Sequence, residues 1–200
     1  AKLRVVPIDD SGQLLFDEKL LTPRTKLFAF VHVSNALGTV NPARDLVALA
    51  RARGVPTLLD GAQAMPHLRV DVRDLGCDVY AFSGHKLFAP TGIGALYGRK
   101  EMLEEMPPYQ GGGEMIKRVT FEKSTWNDLP YKFEAGTPDI SGAIGLGAAL
   151  DYVRSVGLPA IEGHEAALLA KATRDLSAID GVRIVGTASR KSAVVSFVMD

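Results

Sequence analysis

Residues 27–60 read LFAFVHVSNALGTVNPARDLVALARARGVPTLLD, and this stretch decides the fold. Its first seven residues are a mostly apolar run rich in aromatic and β-branched side chains, which is typical of a strand buried on both faces. Asn41 and Pro42 then provide an N-cap and a first helical residue, and apolar residues recur at helical spacing up to Gly54. A second apolar run ends at Asp60. The stretch predicts a strand, a helix and a second strand.

The apolar runs continue beyond this stretch. A third run, residues 78–82, ends at Ser83, so strand, helix, strand, connection and strand follow one another. This order is typical of a parallel sheet joined by right-handed crossovers, and it predicts an α/β fold. Residues 92–97 are predicted to add one strand, and residues 100–106 a short helix before Pro107.

The second half of the chain loses its periodicity and then regains it. Residues 109–138 contain the glycine run 111–113 and no repeating apolar pattern, so we expect a long loop that is functional or reaches a partner. The elements predicted after it are helices over residues 140–156 and 160–176 and strands over residues 182–185 and 193–199. We therefore expect a large domain over residues 1–155 and the start of a smaller α/β domain over residues 156–200.

Composition and charge exclude several classes of protein. Hydrophobic residues make up 46% and charged residues 23%, which argues against a disordered, collagen-like or disulfide-scaffold chain. The 23 basic and 23 acidic side chains give zero formal net charge, so we expect neither a nucleic-acid partner nor an anionic membrane. The apolar runs are far shorter than the roughly 18 residues that span a bilayer, and the N-terminus lacks a signal-peptide pattern.

The cysteine content and the chain ends carry two further expectations. Cys77 is the single cysteine and has no partner for an intramolecular disulfide, so a reducing, cytoplasmic location is expected. The chain begins at Ala1 without a methionine and ends at Asp200 directly after an apolar run. We expect it to be the central fragment of a longer protein.

Polar clusters directly follow the three apolar runs, where ligands bind in open parallel sheets. The clusters are Ser34-Asn35, Asp60-Gly61-Ala62-Gln63 and Ser83-Gly84-His85-Lys86. An ionised Asp60 at a strand end is costly without a cation or several donors, and a semi-buried Lys86 can become a nucleophile toward carbonyl groups. Spacing alone leaves open whether Asp60 and Lys86 form an ordinary ion pair or a reactive site.

The combination of these groups favours a cofactor site. A pyridoxal phosphate site needs a lysine that binds the aldehyde as a Schiff base, a carboxylate that keeps the pyridine nitrogen protonated, and small polar residues that hold the phosphate. Lys86, Asp60 and the nearby serine and histidine supply all of these at one end of the predicted sheet.

Five motifs carry a resemblance to a known family. They are HVSNALGT at residues 32–39, DGAQA at 60–64, FSGHKLFAPTGIGALY at 82–97, GGGEMI at 111–116 and KFEAGTPD at 132–139. In their order and spacing they resemble the class V aminotransferase-like enzymes of fold-type I, and specifically the SUF-type cysteine desulfurases. The resemblance implies a three-layer α/β/α large domain with a mainly parallel sheet.

The resemblance also implies roles for individual residues. Lys86 would be the lysine that binds pyridoxal phosphate covalently. Asp60 would pair with the pyridinium nitrogen and make the ring an electron sink, and Gln63 would hydrogen-bond the phenolic oxygen of the ring. Ser83 and His85 resemble the family's phosphate ligands.

Three more residues match parts of the family's site near the substrate or the second subunit. Asn35 matches a residue close to the cofactor and to the substrate carboxylate. Gly136 and Thr137 match a loop that, in the family dimer, reaches the phosphate of the neighbouring subunit. A homodimer is therefore implied.

The reaction that the resemblance implies is removal of sulfur from L-cysteine to leave L-alanine. Lys86 would move a proton at the α-carbon of the substrate, and a cysteine thiolate would take the sulfur as a persulfide. The sulfur would then pass to an acceptor protein for iron–sulfur cluster assembly. A selenocysteine lyase or another class V lyase is the alternative within the same cofactor class.

Parts of the family's active site have no match in this chain. The persulfide-forming cysteine and the arginine for the substrate carboxylate would lie past Asp200, and a phosphate-binding loop and a ring-stacking histidine would lie before Ala1. A non-catalytic fragment that only folds or dimerises is therefore a second alternative. A nucleotide-binding module is disfavoured because no GxGxxG or P-loop pattern is present.

Several other residues favour structural roles. Cys77 leads into a buried strand and is expected to be a small apolar core residue. His32 lies in an apolar run and is expected in the core or directly behind the site. His67 and His164 have no companion at metal-ligand spacing, so no metal site is expected. The aromatic residues expected either at a dimer contact or in the core are Trp126 and Tyr131.

Overall fold

A four-stranded sheet forms the centre of the computed structural model, which describes residues 2–200. The strands are β1 Phe28–Val31, β2 Thr57–Asp60, β3 Val79–Ser83, β4 Gly94–Gly98, β5 Ile116–Val119, β6 Ser124–Trp126, β7 Val182–Val185 and β8 Ser196–Met199. The α-helices are α1 Ala43–Ala52, α2 Val72–Leu75, α3 Lys100–Glu105, α4 Ile140–Val156 and α5 Leu158–Ser177. Short 3-10 helices cover Glu18–Leu20, Gly84–Leu87 and Tyr131–Phe133. Within the described residues, none of the helices is long and apolar enough to cross a membrane.

The central sheet is mainly parallel. Its strand order is β1-β2-β3-β4, with β1, β2 and β3 parallel to one another and β4 antiparallel to β3. The helix α1 connects β1 to β2, which is the crossover that the first half of the sequence predicts. The predicted α/β class with a mainly parallel sheet is confirmed.

The core of the sheet lies between its strands and α1. Phe30 of β1 pairs with Leu59 of β2, and Leu59 pairs with Tyr80 of β3, so these three side chains lie on one face of the sheet. Ala43 and Val47 of α1 pack against this row. The buried positions of α1 recur three and four residues apart, which places them on the single helix face that meets the sheet.

The start of α1 differs from the sequence prediction. The Asn41 side chain does not cap the helix, which begins at Ala43 after Pro42. Instead, the Asn41 amide donates to the carbonyl oxygen of Val31 at 2.8 Å, and its backbone N–H donates to the carbonyl oxygen of His32 at 2.9 Å. The Asn41 side chain bonds to β1 rather than to the helix because the loop of residues 34–41 folds back onto the end of that strand.

Residues 109–138 contain more regular structure than their aperiodic sequence predicts. They form the hairpin β5–β6, in which Ile116 pairs with Trp126 and Val119 pairs with Ser124. Most residues of both strands are exposed, so no alternation of apolar and polar side chains marks them in the sequence. The last strand, β8, is also shorter than predicted, since it begins at Ser196 rather than at residue 193.

The C-terminal elements return to the first half of the chain. β7 and β8 form an antiparallel pair, and α5 packs against β7. In the segment between these strands, the N–H of Ser192 donates to the carbonyl oxygen of Gly38 at 2.8 Å, and the carbonyl oxygen of Arg190 accepts from the N–H of Val40 at 2.9 Å. Backbone hydrogen bonds therefore join the β7–β8 unit to the loop that follows β1.

Leu59 provides a test of this core. The side chain is 0% exposed beneath α1, so we expect Leu59→Ala to lower the free energy of unfolding by about 3 kcal/mol, through lost burial and the cavity left behind. Urea denaturation followed by circular dichroism measures the change. Leu3→Ala is the matched control because Leu3 is 85% exposed. Equal losses in the two variants would contradict the placement of the core.

Candidate active site

Parallel pairing brings the ends of three strands to one edge of the sheet. Asp60 is the last residue of β2, and it lies in register with Val31 of β1 on one side and Ala81 of β3 on the other. Ser83 is the last residue of β3. The three polar clusters predicted from the sequence follow these strand ends, as ligand-binding residues do in open α/β sheets.

Asp60 is fixed by its backbone, and its side chain is open on one side. Its carbonyl oxygen accepts from the N–H of His32 at 2.8 Å, and the next N–H, that of Gly61, donates to the carbonyl oxygen of Ala81 at 2.7 Å. Oδ1 of the carboxylate accepts from the N–H of Ala62 at 2.9 Å. Oδ2 receives no hydrogen bond from any residue in the range 2–200, so the exposed carboxylate retains one oxygen for a ligand.

Gly61 lets the chain turn sharply after Asp60. A Cβ atom at this position would lie 1.9 Å from Cε1 and 2.3 Å from the hydroxyl oxygen of Tyr80, so no larger residue fits without displacing the ring. The carbonyl oxygen of Gly61 accepts from the N–H groups of Ala64 and Met65 at 2.9 and 3.0 Å. These contacts form a compact turn that holds the half-buried Gln63 beside the sheet edge.

The far end of this turn is tied to α5. Nδ1 of His67 lies 2.8 Å from Oε2 and 2.9 Å from Oε1 of Glu165, and both side chains are mostly buried. His67 is therefore a structural contact between the turn that follows β2 and α5. No group of three or more histidine, cysteine, aspartate or glutamate residues that could hold a metal ion occurs in the described part of the chain.

Lys86 lies on the short helix Gly84–Leu87, which directly follows β3. The helix is anchored by the buried side chain of Leu87 and by Gly84, where a Cβ atom would lie 2.8 Å from Cγ2 of Ile93. The N–H of Gly84 also donates to the carbonyl oxygen of Ile93 at 2.8 Å. The backbone beneath Lys86 is therefore held tightly, while its own side chain is half-buried.

Ser83 and His85 face each other beside Lys86. The Ser83 hydroxyl lies 2.7 Å from Nδ1 of His85. The pair is exposed at the sheet edge, so the second ring nitrogen of His85 is open to a ligand. From the other side, α4 packs against the short helix, and the rings of Phe88 and Tyr152 meet edge to face with their centroids 5.7 Å apart.

Asp60 and Lys86 do not form the ordinary ion pair that spacing alone left open. No salt bridge within 4.0 Å joins them in residues 2–200, although both lie at the same edge of the sheet. The carboxylate is oriented by the N–H of Ala62, and the lysine by the helix that follows β3. The two groups are therefore both available to a ligand rather than neutralised by each other.

Asn35 lies in the turn after β1 and is exposed. The turn is closed by the N–H of Leu37, which donates to the Ser34 hydroxyl at 3.1 Å, and by the N–H of Gly38, which donates to the carbonyl oxygen of Ser34 at 2.9 Å. The Ser196 hydroxyl of β8 donates to the carbonyl oxygen of Ala36. Contacts from both halves of the chain thus set the conformation of this turn.

Gly136 and Thr137 lie in the loop between the short helix Tyr131–Phe133 and α4. The N–H of Gly136 donates to the carbonyl oxygen of Gly113 at 3.0 Å, and Thr137 is exposed. Buried Lys132 anchors the loop, since its Nζ donates to the carbonyl oxygens of Leu103 and Glu104 at 2.9 and 2.8 Å. Within residues 2–200 no hydrogen bond joins Gly136 or Thr137 to the edge that carries Asp60 and Lys86.

Sequence reasoning did not find the role of Tyr80. Its hydroxyl lies 3.0 Å from Nδ1 of His32, and both side chains are buried. Burial lowers the pKa of His32, and the positive charge of Arg190 lowers it further. Burial also raises the pKa of Tyr80, as do the nearby Cys77 and Asp60. Both groups are therefore neutral near pH 7, and the strand pattern alone could place only His32 near the site.

The exposed fraction of each side chain tests the expected roles of Cys77, Trp126 and Tyr131. Cys77 is 1% exposed and packs in the core with Leu59 and Tyr80, and burial raises the pKa of its thiol, which confirms the predicted apolar role. Trp126 and Tyr131 are 41% and 53% exposed, so of the two alternatives, a dimer contact and the core, the core is wrong for both. They lie on the hairpin and on the short helix that follows it, where residues 2–200 leave them partly exposed.

Comparison with known proteins supports the family predicted from the motifs. The profile described as Aminotransferase class-V matches residues 1–200. A cysteine desulfurase of Synechococcus elongatus is 54% identical over 202 aligned residues, which cover 100% of this chain and 32% of that protein. The apo structure of a cysteine desulfurase from Thermococcus onnurineus NA1 superposes with a TM-score of 0.92 at 38% identity, covering 99% of this chain and 50% of that one.

A third comparison concerns the cystine C–S lyase C-DES. A C-DES variant with glycine covalently linked to its PLP cofactor superposes with a TM-score of 0.81 at 28% identity, covering 92% of this chain and 49% of that chain. The fold is that of the class V aminotransferases. The present chain belongs to this family, and it spans about a third of the length of the Synechococcus relative and half that of the Thermococcus relative.

The lowered pKa of His32 predicts a pH dependence of stability. A histidine whose pKa is lower in the folded state than in the unfolded state takes up protons on unfolding, so stability is lost as pH falls below about 6.5. We expect the thermal midpoint to drop between pH 7.5 and 5.5, and His32→Asn to reduce that drop. Differential scanning fluorimetry across this range measures it. The control is His164→Asn, which removes an exposed histidine, and the same reduction in both variants would contradict the assignment to His32.

Proposed function

We propose that this chain is the central part of a pyridoxal phosphate-dependent cysteine desulfurase. The enzyme would convert L-cysteine to L-alanine and transfer the sulfur to a cysteine outside residues 1–200. The observation that carries the proposal is the arrangement at one sheet edge: Asp60 with a free oxygen, Lys86 on a rigid turn, and the Ser83–His85 pair between them in sequence. The 54% identity to a cysteine desulfurase supports the choice of reaction.

The donor set fits pyridoxal phosphate. The cofactor needs an amine for its aldehyde, a carboxylate for its pyridine nitrogen and polar groups for its phosphate. Lys86 supplies the amine, Oδ2 of Asp60 has no other partner within the described chain, and Ser83 and His85 offer a hydroxyl and an imidazole 2.7 Å apart. Gln63, on the turn after Asp60, is proposed to hydrogen-bond the phenolic oxygen of the ring.

Pyridoxal phosphate, when bound, supplies an electron sink for the bonds around the α-carbon of an amino acid. The carboxylate of Asp60 holds the proton of the ring nitrogen, because its negative charge favours the protonated form. The Ser83 hydroxyl and the His85 imidazole bind the phosphate by hydrogen bonds. Gly136 and Thr137 of a second subunit are proposed to complete the phosphate site.

Lys86 carries the proton transfers. The free amine of Lys86 would move a proton at the α-carbon of the substrate, and a well-placed general base contributes a factor of about 10² to 10⁴ in rate. Its backbone is fixed by Gly84 and Leu87, so the side chain extends from a defined position at the sheet edge. Asn35, in the turn after β1, is proposed to orient the substrate carboxylate.

The atoms of the overall reaction balance without an external redox partner. L-cysteine and an enzyme thiol give L-alanine and an enzyme persulfide. The carbon–sulfur bond of cysteine breaks, a sulfur–sulfur bond forms, and a proton takes the place of sulfur on the β-carbon. The accepting thiol is not Cys77, which is buried in the core and has a raised pKa.

The finer biological assignments follow from the same proposal. The sulfur is proposed to reach an acceptor protein for iron–sulfur cluster assembly in the cytoplasm. A homodimer is proposed as well. The large apolar side chains that are exposed in residues 2–200, among them Phe121, Trp126, Tyr131 and Ile144, offer surface to a second subunit or to the rest of the polypeptide. We propose the division into a large domain over residues 1–155 and a smaller one from residue 156, and Gly157 between α4 and α5 supports that boundary.

A class V lyase is the second candidate function. The superposition with the cystine C–S lyase C-DES, at 29% identity and a TM-score of 0.81, supports it. Selenocysteine in place of cysteine is the corresponding alternative substrate. The desulfurase is preferred because the identity to desulfurases is higher, at 38% for the Thermococcus structure and 54% for the Synechococcus protein.

Lys86→Ala tests the cofactor assignment. In the complete gene product with pyridoxal phosphate, borohydride reduction is expected to add the cofactor mass to the wild type and nothing to Lys86→Ala, because the amine is absent. Sulfide release from cysteine is expected to fall by about 10² or more. Intact mass spectrometry and a sulfide assay make the two measurements. The control is Lys100→Ala, an exposed lysine on α3. Cofactor mass retained by Lys86→Ala would refute the assignment.

Product analysis tests the reaction class. From L-cysteine we expect alanine and sulfane sulfur in equal amounts, because the desulfurase leaves the carbon skeleton and amine together. Chromatography of the amino acids with a persulfide-specific probe measures both. The same assay with cystine and with selenocysteine is the comparison. Cysteine persulfide from cystine, without alanine from cysteine, would favour the lyase, and faster alanine formation from selenocysteine would reassign the substrate.

A further inference from the structure

We propose that the hydrogen bond between His32 and Tyr80 positions Asp60 for its ligand. His32 and Tyr80 are therefore positioning residues of the site. The inference rests on the proposed function, in which Asp60 contacts the cofactor ring. It assigns a role to a buried pair that makes no contact with the ligand itself. The pair lies behind the sheet edge, on the side of α1.

The geometry of the pair places it across the middle strand. His32 directly follows β1, and Tyr80 belongs to β3, so their side chains meet over the end of β2. Nδ1 of His32 and the Tyr80 hydroxyl oxygen are 3.0 Å apart, and the two rings meet edge to face at 89°. Because a Cβ atom on Gly61 would lie 2.3 Å from the same hydroxyl oxygen, the hydrogen bond passes directly beneath the residue that follows Asp60.

The two bonded residues also connect to the backbone on either side of Asp60. The N–H of His32 donates to the carbonyl oxygen of Asp60 at 2.8 Å. On the other side, the N–H of Gly61 donates to the carbonyl oxygen of Ala81, the residue after Tyr80, at 2.7 Å. Backbone hydrogen bonds thus link β1 to β2 and β2 to β3. The side-chain hydrogen bond between His32 and Tyr80 links β3 directly to the end of β1.

Asp60 points away from this pair. Successive residues of a strand face opposite sides of a sheet, and Leu59 packs toward α1, so the Asp60 carboxylate faces the other side. The carboxylate is still near enough for its charge to raise the pKa of Tyr80. The His32–Tyr80 pair thus lies on the face of the sheet opposite the Asp60 carboxylate. A change in the distance between β1 and β3 on that face moves the end of β2, and the carboxylate moves with it.

The pair has the burial that a supporting contact requires. His32 is 8% and Tyr80 2% exposed, so neither polar group can replace its partner with bulk water. Gly61 leaves room for the hydroxyl, and the ring fills the space that a side chain would occupy. A tyrosine that served only for packing would not need its hydroxyl opposite a histidine nitrogen, and phenylalanine would serve equally well there.

Tyr80→Phe tests the inference because it removes the hydroxyl and keeps the ring. In the complete gene product loaded with pyridoxal phosphate, we expect a shift in the pH midpoint of cofactor absorbance and cofactor binding weakened on the order of 10-fold, the effect of losing a hydrogen bond behind a functional ligand. Absorbance titration from pH 5.5 to 9 and fluorescence titration of the apo protein with pyridoxal phosphate measure these quantities.

Thr57→Val is the matched control. Thr57 is also buried, at 1% exposure, and its hydroxyl bonds to Oδ2 of Asp78 at 3.1 Å, but it lies at the opposite end of β2. We expect it to lower the thermal midpoint and to leave the cofactor absorbance and affinity unchanged. His32→Asn is the conservative variant, because its amide can occupy the place of Nδ1 and bond the Tyr80 hydroxyl, and it is expected to retain the wild-type spectrum that His32→Leu loses.

The outcomes separate this inference from the function on which it rests. Wild-type absorbance and affinity in Tyr80→Phe would overturn the inference alone. An equal change in Thr57→Val would also overturn it, because any loss of a buried hydrogen bond would then have the same effect. No cofactor absorbance in the wild type and in Thr57→Val would overturn the proposed function together with the inference.

Discussion

The parallel pairing of β1, β2 and β3 is the constraint on which the candidate site depends. Each strand contributes little chemistry by itself, but parallel alignment puts all three carboxyl ends at one edge. The alignment is stabilised by the row of Phe30, Leu59 and Tyr80 against α1, which also excludes water from the strand backbones on that face. The polar groups that follow each strand therefore meet without any of them having to be buried.

Two glycines at the ends of the strands determine where the next side chains lie. Gly61 allows the chain to turn over the Tyr80 ring, and Gly84 allows the helix under Lys86 to approach Ile93. In both places the backbone lies closer to its neighbour than a Cβ atom permits, so the turns that carry Gln63 and Lys86 have little conformational freedom. Because this ordering is already present before binding, little further conformational entropy is lost when a ligand binds at these turns.

The helices and strands whose apolar residues recur at regular spacing or in continuous runs were predictable from the sequence. The polar residues at the ends of the strands were predictable as well. The strands near Phe30, Leu59 and Tyr80 are apolar runs, and Asp60 and Ser83 end two of them. The hairpin β5–β6 was not predicted because its exposed residues show no alternation of apolar and polar side chains. Asn41 escaped because its amide bonds to β1, a partner that local sequence does not reveal. The His32–Tyr80 contact joins residues 48 apart, so it needed the register of the strands.

The turn that carries Asn35 has a consequence for the order of folding. Its contact with Ser196 joins residues 160 apart in the sequence, whereas the contacts of β1 with α1 and β2 are local. Long-range contacts form after local ones, because a long loop must close before they can contribute. During synthesis the sheet edge with Asp60 and Lys86 can assemble first, while the turn beside it acquires its final conformation only after β8 has emerged. The final conformation of the turn that carries Asn35 therefore indicates that a late stage of folding has been reached.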